Sequence, residues 1–299
     1  MPPKQLHLIR HAQGYHNLSP EHHNLRDPLL TPAGEQQCIE LSASISDIHS
    51  IDCIVASASR RTLYTALVTF HAVLNAKPSL KIIALPELQE TSMLACDVGA
   101  SVDELRLEFA GKPVDLSHVH DGWNDKLSGP FTPLTSRVMG RCKKARRFLQ
   151  RRSEDNVAVV SHGGLLHFLT DDWHDALSGC GTGWSNCELR SYQFDMSTNA
   201  AIANATIRET DSSLIRRMHS LNPLSRDEQI QLAVVAQASW AADGYIISAG
   251  ATEAKDATLD DEDNGSGETD PAIDVCLMER RRDERGVEVD GKHAVRANL

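Results

Sequence analysis

The chain has 299 residues, 41% of them hydrophobic, which supplies apolar surface for one full-sized core and argues against a chain that stays unfolded. Its formal net charge of -11 excludes a general nucleic-acid binder, and its seven cysteines contain no CxxC pair, so neither a disulfide framework nor a zinc knuckle is indicated. No apolar stretch is long enough for a signal peptide or a membrane span, and the expectation is a reduced intracellular protein, cytoplasmic, with the nucleus left open as a second compartment.

Gln5 to Ile9 reads as a short buried strand that ends abruptly in Arg10-His11. A guanidinium and an imidazole are costly to bury without partners. The carboxyl ends of central strands are nevertheless where ligands bind in open α/β sheets. Arginine offers a bidentate fork to phosphate or carboxylate. An imidazole kept neutral by nearby positive charge can act as a nucleophile. The loop 14–27 that follows holds His16, Asn17, His22 and His23. No carboxylate or cysteine stands at ligand spacing with these histidines, so they are read as surface residues and not as a metal cluster. Thr31, Pro32 and Glu35 then open a helix running to about Ser46.

Ile51 to Ala56 is the second strand. It leads into a helix capped by Ser57 or Ser59 and carrying Arg60 and Arg61. Arg61 and Thr65 lie one turn apart on one face. A basic residue this early in a helix opposes the macrodipole, which favours a functional role for it. Leu80 to Leu85 is the third strand, with Glu87 and Glu90 just past its end. A carboxyl held near anions has a raised pKa suited to protonating a leaving oxygen. Val102 to Ala110 is a short amphipathic helix. The stretch 111–133 has no clear period, and an irregular segment of this length is usually a lid or binding loop. It is expected to cover the pocket, with Trp123 and Phe131 offering the substrate an apolar or sugar-like face. Leu134 to Arg152 is a helix whose arginines and lysines form a solvated basic face.

Val157 to Leu169 repeats the opening arrangement. Four apolar residues make a strand, Ser161-His162 stands at its end, and Gly163-Gly164 opens a helix to about Ala176. The glycines let backbone approach a ligand closely, and the free N–H groups of a helix start favour an anion. Two histidines at two strand ends, one beside an arginine and one at a helix start, point to a phosphate pocket. His167 is read as a packing residue, and the glycine-rich pentad 179–183 as a loop that is weak evidence for nucleotide binding. Cys187 to Asp195 and Ala200 to Glu209 read as two more strands. Ser225 and Glu228 form a capping box for an apolar helix, Arg226 to Ala242. From Thr252 to Asp274 nine acidic residues face one lysine, a composition too polar to fold alone. The expected organisation is one domain over 1–250 and a disordered acidic tail over 251–299.

Over roughly residues 4–210 the chain resembles the histidine phosphatase superfamily, the phosphoglycerate-mutase-like proteins. The resemblance is carried by Arg10-His11 with His16-Asn17 behind it, Leu30-Thr31-x-x-Gly34, the serine–arginine–threonine pattern ending in Arg61 and Thr65, Leu88-x-Glu90, and Ser161-His162-Gly163. Cys96-Asp97-x-Gly99 is similar to an intracellular branch found in fungi and plants. The resemblance implies an α/β three-layer sandwich with a mostly parallel central sheet flanked by helices. It implies that His11 attacks phosphorus in line while Arg10, Arg61 and His162 hold the equatorial oxygens. Asn17 and Gly163 complete the phosphate site, and Glu90, in preference to Glu87, protonates the leaving oxygen and then activates water. No metal and no cofactor are expected, since the arginines supply the charge that a divalent ion otherwise brings.

The sequence also departs from the family's pattern. Ala12 replaces the usual glycine and can stand there only if its φ is below zero, and Gln13 differs from the Glu, Ser or Thr of other branches. Thr91-Ser92-Met93 follows the acid where the mutases carry Glu-Arg-His-Tyr-Gly, and 111–133 has no arginine pair. The expected function is therefore a phosphomonoester hydrolase acting on a small phosphorylated metabolite, with no nucleic-acid or membrane partner. A phosphoglycerate-mutase-type phosphotransferase and a non-catalytic binding protein that keeps the fold are the alternatives. A Rossmann dehydrogenase is disfavoured because no GxGxxG follows the first strand.

Overall fold

A computed structural model describes residues 1–177, 182–221 and 224–248. The predicted tail, Cys180 and part of the glycine-rich pentad lie outside the described residues. One sheet contains β1 (Gln5–Arg10), β2 (Cys53–Ala56), β3 (Ile82–Ala84), β4 (Val114–Asp115), β5 (Asn156–Ser161), β6 (Leu189–Phe194) and β7 (Ile207–Glu209), in the order β4-β3-β2-β5-β1-β6-β7. The first five run parallel, and β6 and β7 are antiparallel additions at one edge. β2 and β5 are almost wholly buried because both faces of the sheet are covered, which is why they read as unbroken apolar runs.

The helices are α1 (Pro32–Ser44), α2 (Arg60–Thr69), α3 (His71–Ala76), α4 (Val102–Glu108), α5 (Thr135–Gln150), α6 (Gly163–Thr170), α7 (Asn199–Asn204), α8 (Asp211–Arg216) and α9 (Arg226–Ala242). On one face Leu6, Leu8, Val157 and Val159 pack with Val138, Cys142 and Leu149 of α5 and with α6. On the other Ile9, Ile54, Ala158 and Val160 pack with Leu63 and Ala66 of α2 and Leu105 of α4. Alternate strand residues thus serve opposite layers, and the result is the three-layer α/β sandwich expected from the sequence.

The topology places the site. The chain leaves β1, skips one position to form β2, extends outward to β3 and β4, then returns to fill the skipped position with β5. Register pairs Arg10 with Ser161, so the next residues, His11 and His162, leave the sheet side by side. His11 N donates to the Ser161 carbonyl at 2.9 Å. This is the crevice at a reversal of strand order where ligands of α/β sheets bind.

Several expectations need correction. Residues 200–209 are not one strand: Thr198 caps α7 by accepting from Ala201 N at 3.0 Å, Ala205 ends that helix at φ 51°, and β7 begins only at Ile207. α6 stops at Thr170 instead of near Ala176 because Asp171 adopts a left-handed backbone, φ 55°. The basic face of α5 is solvated only in part. Arg141 is buried and donates to the carbonyls of Glu87, Gln89 and Glu90, while Arg146 donates to those of Phe168 and Leu169 at the end of α6. Buried carbonyls need donors, and these arginines supply them.

The stretch 111–133 does not cover the pocket. Val119 and Trp123 are drawn into the core, the Trp123 indole donating to the Ala100 carbonyl at 3.2 Å. Gly99 lies so close beneath that ring that a Cβ there would meet it at 2.1 Å. Burial of a tryptophan outweighs exposing it as a lid, since full burial of a large apolar side chain contributes roughly 1.5–3 kcal/mol or more. Among the described residues no helix is long and apolar enough to cross a membrane.

Candidate active site

A cavity of about 430 Å³ opens beyond the carboxyl ends of β1 and β5, with Arg10, His11, Asn17, Arg61 and Glu90 in its wall. His11 is buried at its floor. Its Nδ1 lies 2.7 Å from the Ala12 carbonyl, which can only accept, so Nδ1 carries the proton and Nε2 the lone pair. The backbone around it is fixed: Ala12 N donates to Thr65 Oγ1 at 3.0 Å, and Asn186 Nδ2 donates to the His11 carbonyl at 2.9 Å. Ala12 has the negative φ that the sequence requires of it. Burial, then Arg61, His16 and Arg10, hold the His11 imidazole well below its ordinary pKa, so the ring is neutral at physiological pH.

Arg61 organises the floor. Its Nε donates to His11 Nε2 at 3.3 Å, Nη1 to the Cys96 carbonyl at 2.7 Å, and Nη2 to Asp97 Oδ1 at 2.7 Å and to His162 Nδ1 at 2.9 Å. His162 must accept there, so its proton sits on Nε2, which donates to Ser57 Oγ at 2.9 Å. Burial, then Arg61 and His11, keep this second ring neutral as well. The two rings stand 5.2 Å apart. Arg60, the neighbour of Arg61, pairs with Glu108 at 2.8 Å.

Arg10 donates through Nη1 to the Trp184 carbonyl, and among the described residues its buried Nε has no hydrogen-bond partner. Asn17 Oδ1 accepts from Gly14 N at 3.0 Å, so the group it can turn to a ligand is its amide NH₂. Glu90 reaches the start of α6. Its Oε1 accepts from Thr91 N at 2.9 Å and Leu165 N at 2.8 Å, and Oε2 accepts from Gly164 N at 3.1 Å. Burial and then Asp97 push its pKa up, against these N–H groups. The acceptor at this helix start is therefore the Glu90 carboxyl itself. Gly163, expected to touch the phosphate through its backbone, lies under Thr182: a Cβ there would stand 1.9 Å from Thr182 Oγ1 and 3.3 Å from Arg10 Nε. A Cβ on Gly164 would meet Glu90 Oε1 at 2.7 Å, so close approach of these side chains already requires both glycines.

Sequence reasoning missed part of this assembly. His16, read as a surface residue, is buried in the cavity wall with its ring 5.3 Å from that of His11. Burial, then Arg61 and Arg10, push its pKa down to about 2, so it adds no charge. Asp97 and Ser92 steer Arg61, the serine hydroxyl donating to Asp97 Oδ2 at 2.5 Å. Lys126 and Arg141 hold the main chain of Glu90, Lys126 Nζ donating to its carbonyl at 2.8 Å and Arg141 Nη2 at 3.0 Å. No local signal marks those two, because each acts from a distant element. His167 is buried, as expected of a packing residue, with its two nitrogens against the carbonyls of Asp172 and Thr182.

A larger cleft, about 1050 Å³, lies by β7 and α8, but Arg217 within it is already paired with Glu209 at 3.0 Å and Asp175 at 3.2 Å. Nearby, His174, Asp175 and His219 have ligand atoms within 4.8 Å of one another, yet Arg190 also lies 3.4 Å from Asp175, and that positive charge opposes a cation. The chemistry is concentrated in the smaller cavity. A neutral imidazole whose Nε2 lone pair faces the Arg61 guanidinium, a second guanidinium from Arg10 and a carboxyl of raised pKa, gathered at the carboxyl ends of parallel strands, form an arrangement suited to phosphoryl transfer.

The family model of the histidine phosphatase superfamily (branch 1) matches residues 6–203. The chain belongs to that superfamily, and its enzymatic class is phosphatase. It is 28% identical over 229 residues to a phosphoglycerate mutase-like protein of Arabidopsis thaliana, covering 63% of this chain and 83% of that one. It is 26% identical over 162 residues to a probable phosphatase of Schizosaccharomyces pombe, covering 54% and 74%. Among solved structures, an ecdysone phosphate phosphatase from Bombix mori in complex with tungstate aligns at 16% identity over 64% of this chain and 89% of that one, with a TM-score of 0.45.

Proposed function

We propose that the protein is a metal-independent phosphomonoester hydrolase that works through a phosphohistidine on His11 and acts on a small phosphorylated metabolite. The observation that carries this reading is the His11 tautomer: Nδ1 is committed to the Ala12 carbonyl, which leaves the Nε2 lone pair beside Arg10 and Arg61 in the cavity wall. Nε2 attacks phosphorus and the ester P–O bond breaks. Glu90 gives its proton to the departing oxygen, consistent with its raised pKa. Water then attacks the phosphohistidine, Glu90 takes a proton from it, and His11 is returned neutral with release of inorganic phosphate. The charge on the equatorial oxygens is met by Arg10 Nε, Arg61 and the Asn17 amide. His162 reaches those oxygens only by exchanging its bond to Arg61 or to Ser57.

Hydrolysis is favoured over a mutase reaction by the placement of the cations. A mutase must grip a second anionic group on its substrate. Lys126, however, is buried on the Glu90 carbonyl, and Lys112 sits over the Phe109 ring, 5.6 Å from its centroid. The test is a rapid quench into alkaline detergent with a ³²P-labelled phosphomonoester in the presence of a chelator. A base-stable, acid-labile phosphoenzyme is expected, absent from His11→Ala, whose turnover falls by roughly a thousandfold or more. Turnover of His11→Ala within tenfold of the wild type overturns the mechanism, and loss of wild-type turnover in the chelator overturns its metal independence.

A further inference from the structure

Beyond the phosphate end, the cavity wall is built by parts of the chain far from the catalytic motifs. Leu94, Ala176, Leu177, Trp240, Asp243 and Tyr245 line it, the last three from the end of α9 and the turn after it. That wall is fixed in place. Trp240 is 7% exposed and packs on Trp173 at 5.6 Å and Phe168 at 6.3 Å between ring centroids. Gln229 ties α9 to the segment below, accepting from Trp173 N at 2.8 Å and donating to Asp172 Oδ1 at 3.1 Å. Past the helix, Tyr245 N donates to the Trp240 carbonyl at 2.8 Å, and Ile247 N to the Pro133 carbonyl at 2.8 Å. Residues 243–245 are therefore held between two anchors, and their side chains form a preformed surface.

The chemistry of that surface is asymmetric. Tyr245 is 37% exposed, so its ring is open to contact. Burial, then Asp243 and Asp97, push its phenol pKa up. Asp243 is the charged side chain that α9 and its turn bring to the wall, where His23, Glu90 and Asp97 also stand, and among the described residues that line the cavity there is no lysine. The two arginines of the wall, Arg10 and Arg61, lie at the phosphate end.

The geometry points to the end of α9 as the leaving-group subsite: Trp240 and Tyr245 form a flat apolar wall for the organic part of a phosphomonoester, and Asp243 selects an amino or neutral end over a carboxylate or a second phosphate. This rests on the hydrolase reading above. Aromatic faces reward a flat apolar group, and one carboxylate near the far end of the substrate attracts an ammonium and repels an anion.

The test uses three aryl phosphates that share one ring and differ at its far end: O-phosphotyramine, 4-ethylphenyl phosphate and 3-(4-phosphonooxyphenyl)propanoate. Their leaving groups are similar phenols, so differences in kcat/KM report the far end. The wild type is expected to favour the amine over the carboxylate by about tenfold at low salt. In Asp243→Asn, an exposed position, that ratio is expected to fall to within about threefold. Tyr245→Ala is expected to raise KM for all three while the amine-to-carboxylate ratio stays. A wild-type ratio near one with ordinary turnover, or a ratio kept in Asp243→Asn, overturns the subsite and leaves the hydrolase intact. Failure to hydrolyse any of the three, together with no His11-dependent phosphoenzyme, overturns the hydrolase reading and the subsite with it.

Discussion

Glu90→Gln keeps the shape of the acid and removes the proton it transfers. In the wild type Oε1 accepts from Thr91 N and Leu165 N, and Oε2 accepts from Gly164 N at 3.1 Å. A glutamine keeps one oxygen for the first pair and sets its NH₂ against Gly164 N–H, two donors facing each other. Losing that bond and leaving a buried donor unmet costs about 1–3 kcal/mol. Relief from burying a carboxylate near Asp97 offsets part of it. The net change is about 2 kcal/mol or less, a fall in Tm of at most about 4–8 °C for a domain of this size. The catalytic effect is larger and selective. General acid catalysis contributes about 10²–10⁴ in rate, but only to a leaving group that needs a proton. An alkyl phosphate should lose about a hundredfold or more in kcat/KM, whereas 4-nitrophenyl phosphate, whose phenolate departs unaided, should lose less than about tenfold. Dephosphorylation needs Glu90 as base for either substrate, so kcat falls for both and the phosphoenzyme accumulates. Stopped-flow absorbance should then show a burst of 4-nitrophenolate equal to the enzyme concentration. An equal loss of kcat/KM for the two esters, or a linear trace without a burst, would refute the assignment of Glu90.

Lys126 is buried with its pKa pushed down to about 7, first by burial and then by Arg141. Lys126→Met should therefore leave Tm unchanged or higher, as replacement of a buried charge often does. The same change should lower kcat/KM for alkyl phosphates severalfold by loosening the acid, and a Tm loss above about 8 °C, roughly 2–4 kcal/mol, would contradict it. Stability should fall on acidification. His7 (about 4) and His16 (about 2), each lowered chiefly by burial, stay neutral in the fold while the unfolded chain protonates near 6.5. Their contribution is present above pH 6.5 and is lost as pH drops below it, about 2 kcal/mol each by pH 5. Asp27, raised by burial to about 6, acts in the opposite sense between its unfolded value and pH 6 and returns about 1 kcal/mol at pH 5. These three groups together lose about 3 kcal/mol, and the lowered His11 and His162 act in the same direction, so Tm is expected to be lower by at least about 6–12 °C at pH 5 than at pH 8 in a thermal melt. An equal or higher Tm at pH 5 would refute this.

The catalytic floor was legible because its signals are local. Arg10-His11 and Ser161-His162 each end an apolar run, and a strand end followed by costly polar groups announces itself within a few residues. Arg61 is picked out by the serine–arginine–threonine pattern of the resembled family, and Thr65 proves to hold the backbone beside His11. What failed depended on distant partners. The burial of His16 is set by the cavity and not by its loop. Trp123 looked like a lid residue because nothing nearby shows that Gly99, far back in the chain, leaves room for its ring. The apolar residues of α9 marked a helix, but not the wall it completes. The expected strand over 200–209 gives way for a local reason: Thr198 is a good N-cap, and a capped alanine-rich run prefers the helix.

The double grip on the main chain of Glu90 has an evolutionary consequence. Lys126 comes from the irregular segment and Arg141 from α5, and both hold the residue that moves protons, whereas the wall opposite comes from the last described helix. Insertions or deletions within 111–133 would therefore detune the speed of ester cleavage before they changed which esters fit. Drift in α9 would do the reverse. Turnover and selectivity are written in separate stretches of the gene, and a lineage could exchange one while inheriting the other unaltered.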